Sequence, residues 1–368
     1  MKAFEHGGNI HIWKECQANL LDYSANINPL GMPESVSLAV AEAISGQVHY
    51  PEPRARTLQS KLAAHYQIQA EEIFVANGAT EALYLLAGAL KPQKALVMAP
   101  TFSEYERSLL PEECEIQRME LLKESNFAIP FEAVKSTLSQ VDIAYFGNPN
   151  NPAGAMGTTD EWRELLIVAR EYSTFIVVDE SFLDFLPKGG CSYSAKPLLQ
   201  EGFDNLLVLH SLTKFYALPG LRLGFAASHP KIIEALEGRS DVWNVNGLAQ
   251  IAGFAALEDR DYQARTRSEL PKWQADMVNR LTELAGIKWS QPQVNFILGE
   301  IEDRQLPATK LVQSCAEQGL LIRDCSNFNG LGSYWFRLAI RGEKENARAV
   351  KILKEVWAES RSNESTRL

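Results

Sequence analysis

The chain has 368 residues, of which 46% are hydrophobic and 22% charged, a composition that excludes a disordered chain and predicts a large core with two domains. Its formal net charge of -10 provides no positive field, so neither nucleic acid nor an anionic membrane surface is an expected partner. The cysteines are scattered without a CxxC pair, which predicts reduced thiols in the cytoplasm and neither a zinc site nor a disulfide framework: Cys16, Cys114, Cys191, Cys315 and Cys325.

The elements predicted in chain order indicate an α/β fold. The first residues lack the apolar core of a signal peptide, no later run reaches membrane-spanning length, and NINPLG carries turn signals. From about residue 58 to 245, short apolar runs alternate with amphipathic segments, the pattern of a mainly parallel sheet covered by helices. The predicted strands there are EIFVANG, KALVMAP, DIAYFGN, TFIVVDE and NLLVLHS.

A second pattern follows Asn246. A long helical stretch contains ELPKWQADMVNRLTELAG, and a smaller mixed segment then has the predicted strands NFILGEI, LLIRDC and YWFRLAI. This change predicts a second, C-terminal α+β domain.

Two of the strand ends in the first half carry candidate ligand-binding residues. In NGATEALYLLAGAL, the helix begins near Gly78, and its first turn at Ala79 and Thr80 offers backbone N–H groups to a phosphate. Helix self-capping is the alternative there. Phe102, which follows the strand KALVMAP, has an aromatic face that suits a flat ring, and core packing is its alternative.

The next two strand ends place polar groups at the same edge. FGNPNNPAG is either a simple turn or a loop in which the amide of Asn151 donates to an oxygen on a bound ring. Asp179 ends an apolar strand, so its carboxylate needs a partner, which a protonated pyridine nitrogen would supply. A local cap is the alternative for Asp179.

The segment HSLTKFYALPGLRLGF contains Lys214 directly after a strand. An isolated lysine is most often a solvated surface charge. Here Ser211, Thr213 and Phe215 surround it, a setting that desolvates an amine and lowers its pKa towards that of a nucleophile. Because open α/β sheets bind ligands at the carboxyl ends of their strands, the candidate residues at all five strand ends are expected to lie along one edge of the sheet.

In their chain order these motifs resemble the fold-type I aminotransferase superfamily. The shared pattern is an N-P-x-x-P-x-G turn, a V-D-E strand end and S-x-x-K with a downstream G-L-R, and the resemblance spans essentially the whole chain. It implies that Lys214 holds pyridoxal 5'-phosphate as a Schiff base, Asp179 pairs with the pyridine nitrogen, Asn151 bonds the ring hydroxyl and Phe102 stacks on the ring. The residues implied to bind the cofactor phosphate are Gly78, Ala79, Thr80, Ser211 and Arg222.

Within the superfamily the sequence is most similar to the threonine-phosphate decarboxylases of cobamide biosynthesis. The HGGNI opening, the run DYSANINPLGMP and SLTKFYALPGLRLG carry this likeness. Histidinol-phosphate aminotransferases typically lack HGGN and have a tyrosine where Phe182 stands, and phenylalanine cannot donate that hydrogen bond.

This likeness implies a reaction and a substrate site. The expected reaction converts L-threonine O-3-phosphate to (R)-1-amino-2-propanol O-2-phosphate, with L-serine O-phosphate as a further or different substrate and a histidinol-phosphate-type aminotransferase as the alternative. Arg323 and Arg337 are expected to clamp the substrate's phosphate and carboxylate, because bidentate guanidinium contacts suit both anions. The other positions implied to contact the substrate are His6, Gly7, Asn26 and Asn151.

The resemblance also implies the domain organisation and a homodimer. Tyr50 occupies the place of a tyrosine that reaches the cofactor phosphate of the partner subunit. The expected divisions are an N-terminal arm at 1–48 that contributes to the small domain and the active site, a large cofactor-binding domain at 49–245, interdomain helices at 246–285, a small C-terminal domain at 286–360 and a frayed tail at 361–368.

Overall fold

The computed structural model describes residues 6–12, 20–304 and 306–365. Cys16 therefore lies outside the described residues. The strands are β1 (Leu21–Asp22), β2 (Ile73–Ala76), β3 (Lys94–Ala99), β4 (Glu115–Glu120), β5 (Ile143–Gly147), β6 (Phe175–Asp179), β7 (Leu206–Ser211), β8 (Gly224–Ser228), β9 (Ile287–Trp289), β10 (Phe296–Ile301), β11 (Leu320–Leu321), β12 (Arg323–Asp324) and β13 (Trp335–Ala339).

The helices alternate with the strands through the first half and dominate the connection to the second. They are α1 (Glu34–Ala43), α2 (Arg56–Tyr66), α3 (Ala79–Leu90), α4 (Glu104–Leu109), α5 (Phe131–Thr137), α6 (Thr159–Glu171), α7 (Leu212–Phe215), α8 (Pro230–Glu237), α9 (Gly247–Glu258), α10 (Arg260–Leu281), α11 (Ala308–Glu317) and α12 (Glu343–Ser365). Among the described residues, no helix has the length and apolar character needed to cross a membrane.

A seven-stranded mixed sheet forms the centre of the large unit, in the order β2-β8-β7-β6-β5-β3-β4. Strands β4, β3, β5, β6 and β7 run parallel, and β8 lies antiparallel between β7 and β2. Strands β5 and β7 are buried along their whole length, as expected for a sheet with helices on both faces. The predicted α/β fold with a mainly parallel sheet is confirmed.

Three adjacent parallel strands deliver the candidate residues to one edge. Strand β6 ends at Asp179, β7 ends at Ser211 and leads into α7, and β5 ends at Gly147, four residues before Asn151. Since the carboxyl ends of parallel strands share one edge of a sheet, these side chains converge there. The sheet order thus explains why residues far apart in sequence meet.

The smaller sheet has the order β12-β13-β10-β9 and is antiparallel. Arg323 on β12 lies directly opposite Arg337 on β13. Directly opposed residues of neighbouring antiparallel strands project from the same face of a sheet. Both arginines are therefore presented on one side of the small unit.

The N-terminal segment is joined to the small unit by its backbone. Strand β1 pairs in parallel with β11, and Ala339 of β13 donates its backbone N–H to the carbonyl of Tyr23 at 2.8 Å. The segment LLIRDC, predicted as one strand, is two short strands interrupted at Ile322. Helix α12 continues to Ser365, into the segment that the sequence assigned to a frayed tail.

Four strands were not anticipated from the sequence: the short β1 and β9, and β4 and β8 of the large sheet. Strand β4 is amphipathic at the open edge of the large sheet, and β8 has the sequence GFAAS, which is poor in β-branched residues. Strand β8 forms because neighbours on both sides supply its hydrogen bonds and cover its small side chains.

Candidate active site

A cavity of about 400 Å³ opens at the carboxyl edge of the large sheet, between that sheet, the N-terminal segment and the small sheet. Of the predicted site residues, Gly78 and Tyr50 are not among those that line it. The predicted residues that do line it are His6, Gly7, Asn26, Ala79, Thr80, Phe102, Asn151, Asp179, Ser211, Lys214, Arg222, Arg323 and Arg337.

The two predicted residues outside the lining have different surroundings. Gly78 lies beside the cavity. A Cβ built on it would stand only 2.4 Å from Nη2 of Arg222, which lines the cavity. Tyr50 is 80% exposed and stacks on Trp243, with ring centroids 4.6 Å apart. In the single chain Tyr50 therefore contributes nothing to its own cavity.

The start of α3 forms an open cradle. Gly78 precedes the helix with a φ of 78°, and no side-chain hydrogen bond caps the first turn. The alternative of self-capping is therefore not realised. Ala79 and Thr80 line the cavity, and the guanidinium of Arg222 lies beside Gly78 just before them. A helix start with free N–H groups next to a positive charge suits a phosphate.

Asp179 is held by hydrogen bonds on both of its oxygens. Oδ1 accepts from the backbone N–H and the hydroxyl of Ser181 at 2.9 and 2.5 Å, and Oδ2 accepts from the hydroxyl of Tyr105 at 2.9 Å. Burial raises the pKa of Asp179 even against these donors. The residue thus caps a local turn and also presents a carboxylate that favours a cationic partner.

Lys214 lies in the short helix α7 and is tied to the N-terminal segment, since its carbonyl accepts from the N–H of Asn28 at 3.0 Å. Burial lowers the pKa of Lys214 to about 8, assisted by the charges of Arg337 and Arg222 and opposed by Asp179. With this pKa about a tenth of the amine is unprotonated at pH 7, far more than for an ordinary lysine, and that fraction can act as a nucleophile. The alternative of a solvated surface lysine does not describe this residue.

Arg337 is 4% exposed, and its hydrogen-bond partners within the described part of the chain are neutral. Its Nη1 donates to Oδ1 of Asn151, and its Nη2 donates to the carbonyl of Ser24 at 2.8 Å. Its Nε is buried without a partner among the described residues. Burial lowers the pKa of Arg337 to about 10, so the side chain is a desolvated cation that an anionic ligand would neutralise.

Arg323 supplies a second guanidinium to the cavity. It donates from Nη2 to Oδ1 of Asn327 at 2.8 Å and lies over the ring of Phe328, 5.1 Å from its centroid. Nearby, Asn26 is buried and its Oδ1 has no hydrogen-bond partner among the described residues. These polar groups give the small-unit side of the cavity donors and acceptors for a ligand.

Several residues of the site were not identified from the sequence. Tyr105 binds Asp179, Ser24 binds Arg337, and Glu104 binds His6 at 2.7 Å. Ser24 lies within the quoted run DYSANINPLGMP, but nothing in that run marks its carbonyl as an acceptor. The other two follow Phe102 in a segment whose pattern indicates only a helix start.

A family model described as aminotransferase class I and II matches residues 18–353. The chain belongs to this family. It is 33% identical over 356 residues to the threonine-phosphate decarboxylase of Salmonella typhimurium, a match that covers 95% of this chain and 96% of the relative. The family assignment made from the motifs, and the likeness to threonine-phosphate decarboxylases, are thereby confirmed.

Solved structures of the family superpose closely on this chain. A histidinol-phosphate aminotransferase from Clostridium acetobutylicum has a TM-score of 0.84 at 29% identity, covering 92% of this chain and 100% of that one. An L-threonine-O-3-phosphate decarboxylase from Porphyromonas gingivalis has a TM-score of 0.79 at 26% identity, covering 90% and 98%. Both branches weighed from the sequence therefore share this fold.

Pyridoxal phosphate is the cofactor of this family, and the residues present fit it. The cradle at Ala79 and Thr80 with Arg222 suits its phosphate, and the strand ends supply a buried carboxylate at Asp179 and an amine of lowered pKa at Lys214. When bound, the cofactor supplies an electron sink for a bond broken at the substrate's Cα.

Proposed function

We propose that this chain decarboxylates L-threonine O-3-phosphate to (R)-1-amino-2-propanol O-2-phosphate for the nucleotide loop of cobamides. The observation that carries the proposal is the buried cation of Arg337, which has no ion pair with a described residue and lies opposite Arg323 on one face of the small sheet. A substrate with both a carboxylate and a phosphate supplies an anion for each guanidinium.

In this proposal each residue has a defined task. Lys214 would hold the cofactor covalently, and its amine, after taking up a proton from the substrate's ammonium group, would return that proton to the substrate's Cα when CO₂ has left. Asp179, held by Ser181 and Tyr105, keeps a positive charge on the ring nitrogen. The cradle at Ala79 anchors the cofactor phosphate.

The choice of the bond that breaks follows from the two arginines. By binding the phosphate and the carboxylate separately, Arg323 and Arg337 hold the substrate at two points and fix the direction of its carboxylate. Phe182 lines the same cavity and packs edge-on against Phe296, with centroids 5.2 Å apart. Because it has no hydroxyl, it donates no hydrogen bond to the cofactor.

Two alternatives remain within the proposal. L-serine O-phosphate lacks one methyl group, worth about 1–3 kcal/mol in an apolar pocket, so ethanolamine phosphate is a second candidate product. A histidinol-phosphate-type aminotransferase is the other alternative, supported by the close superposition with the enzyme from Clostridium acetobutylicum.

The test is incubation of the purified, cofactor-loaded enzyme with threonine phosphate alone. Release of CO₂ without a keto-acid acceptor, lost in Lys214→Ala and kept in the surface control Lys272→Ala, is the expected result. Serine phosphate is assayed in parallel to rank the two substrates. Amine transfer that requires an acceptor, with no CO₂ released, would establish the aminotransferase instead.

We also propose a cytoplasmic homodimer with shared sites. Apolar side chains around Tyr50 are exposed in the single chain, among them Val48 at 82% and Trp243 at 42%, which favours burial against a second copy. The free thiols of Cys114, Cys191, Cys315 and Cys325 are consistent with a reducing compartment. Mixing inactive Lys214→Ala with inactive Tyr50→Ala tests the sharing, since hybrid dimers would regain one intact site.

A further inference from the structure

The segment His6–Gly8, here called the strap, crosses the cavity and is fixed at one end to the large unit. Nε2 of His6 lies 2.7 Å from Oε1 of Glu104. The imidazole also packs against Phe102, with ring centroids 5.4 Å apart. His6 and Glu104 both line the cavity, so this contact closes one side of the site.

The other end of the strap is fixed through Ser24. The backbone N–H of Gly8 donates to Oγ of Ser24 at 2.8 Å, and the carbonyl of Ser24 accepts from Arg337 at 2.8 Å. A Cβ at Gly7 would lie 2.1 Å from that carbonyl, and Gly8 has a φ of 86°. Glycine is therefore required at position 7 by the close approach to Ser24 and at position 8 by the positive φ.

Glu104 is a buried carboxylate that no predicted role accounts for. It is 6% exposed and accepts hydrogen bonds from His6, from Tyr84 at 3.0 Å and from Arg107 at 3.3 Å. Burial alone would raise the pKa of Glu104, but these donors outweigh it and lower the pKa. The carboxylate is thus ionised at neutral pH and its bond to His6 is charge-assisted.

We propose that Glu104 is a positioning residue that fixes His6 at the cavity and thereby strengthens substrate binding. A short segment without regular secondary structure opens readily when it lacks such anchors. Ordering it before the substrate arrives removes that entropic cost from binding. The nature of the substrate in this inference rests on the proposed function, whereas the anchoring of the strap does not.

The kinetic test compares Glu104→Gln with Glu106→Gln. Glu106 lies on the same helix and is also paired, with Arg118 at 2.7 Å, but it does not line the cavity. We expect Glu104→Gln to raise KM for threonine phosphate about tenfold, the equivalent of about 1.4 kcal/mol, with kcat changed less than twofold. The kinetics of Glu106→Gln should not change.

A double-mutant cycle with His6→Gln identifies the partner. If Glu104 acts through His6, the double variant should be no worse than His6→Gln alone. Additive losses, or a lower KM in Glu104→Gln as expected if the carboxylate competed with the substrate for His6, would overturn the proposal.

A second readout does not depend on turnover. Amide hydrogen exchange of a peptide covering residues 6–12 should be faster in Glu104→Gln than in the wild type and in Glu106→Gln. Equal exchange in all three proteins would refute the anchoring of the strap. Failure of the wild type to release CO₂ from threonine phosphate would instead refute the proposed function, so the two failures are distinguishable.

Discussion

Replacing Arg337 with methionine should separate stability from function. Removing one partner of a buried ion pair usually destabilises a protein by about 3–5 kcal/mol, but the hydrogen-bond acceptors of Arg337 among the described residues are neutral. Burial lowers the pKa of Arg337 from its ordinary value to about 10, and at about 1.4 kcal/mol per pH unit this corresponds to roughly 3 kcal/mol of unfavourable desolvation.

The loss of two hydrogen bonds offsets the free energy that is gained when the buried charge is removed. Arg337→Met removes hydrogen bonds to Asn151 and Ser24, which have a charged donor and are together worth about 3–6 kcal/mol. The free energy of unfolding of the ligand-free variant should therefore fall by no more than about 3 kcal/mol relative to the wild type. In contrast, kcat/KM for threonine phosphate should fall at least about 30-fold, because a buried charged contact contributes about 2–5 kcal/mol to binding.

The assay pairs urea unfolding of the ligand-free protein with CO₂ release from threonine phosphate. Arg341→Met is the matched control, since Arg341 follows the same strand but pairs with Glu345 at 3.0 Å and does not line the cavity. Its kcat/KM should be unchanged. A loss of more than about 3 kcal/mol of stability in Arg337→Met would mean that the arginine is structural, and retained turnover would refute its role in binding the substrate.

Three further predictions concern the cofactor site and its support. Covalent loading of free pyridoxal phosphate onto Lys214 should accelerate as the pH rises through about 8, because only the unprotonated amine reacts; a midpoint near 10 in stopped-flow absorbance would contradict this. Burial raises the pKa of Asp184, yet neighbouring basic side chains outweigh it and hold that pKa well below its usual range. Asp184→Asn should therefore destabilise the protein by about 3 kcal/mol at pH 7 in urea unfolding, and the difference should shrink as the pH falls below about 4; an equal difference at both values would exclude ionisation as its cause. Gly78→Ala, whose Cβ would stand 2.4 Å from Arg222, should weaken the cofactor affinity at least about tenfold in a fluorescence titration, whereas Gly46→Ala, with open space around it, should leave it unchanged.

The residues proposed to bind the cofactor could be predicted to lie together because each follows a recognisable strand. Asn151, Asp179 and Lys214 stand just beyond apolar runs, and the sharing of one edge by parallel strands brings them together. The sequence left alternatives open at Ala79 and Lys214, and only the structure decides between them. It shows that the helix start at Ala79 has no side-chain cap and that burial lowers the pKa of Lys214.

The residues proposed to bind the substrate could be predicted only from the resemblance to a known family. Arg323 and Arg337 become neighbours through antiparallel pairing, and no local pattern encodes which residues face each other across two strands. The contact between His6 and Glu104 joins residues 98 apart in sequence. Residue type and spacing indicate neither contact, because both depend on how the two sheets and the N-terminal segment are assembled.

Buried polar side chains also stabilise the edge of the large sheet that carries Asp179 and Ser211, on the side away from the cavity. Adjacent residues of a strand project to opposite faces, so Glu180 and His210 point away from the cavity that Asp179 and Ser211 line. Glu180 is fully buried and binds Lys196, and His210 lies 2.9 Å from Asp184 and 3.4 Å from Lys196.

These four buried groups connect the ends of β6 and β7 by hydrogen bonds instead of apolar contacts alone. A fully satisfied polar network of this kind specifies one arrangement more strictly than packing does. The relative position of Asp179 and Lys214 should therefore depend on it. Asp184→Asn tests this as well, since a variant that stays folded but moves the strand ends should lower kcat with the cofactor still bound, whereas unchanged kcat would limit the network to stability.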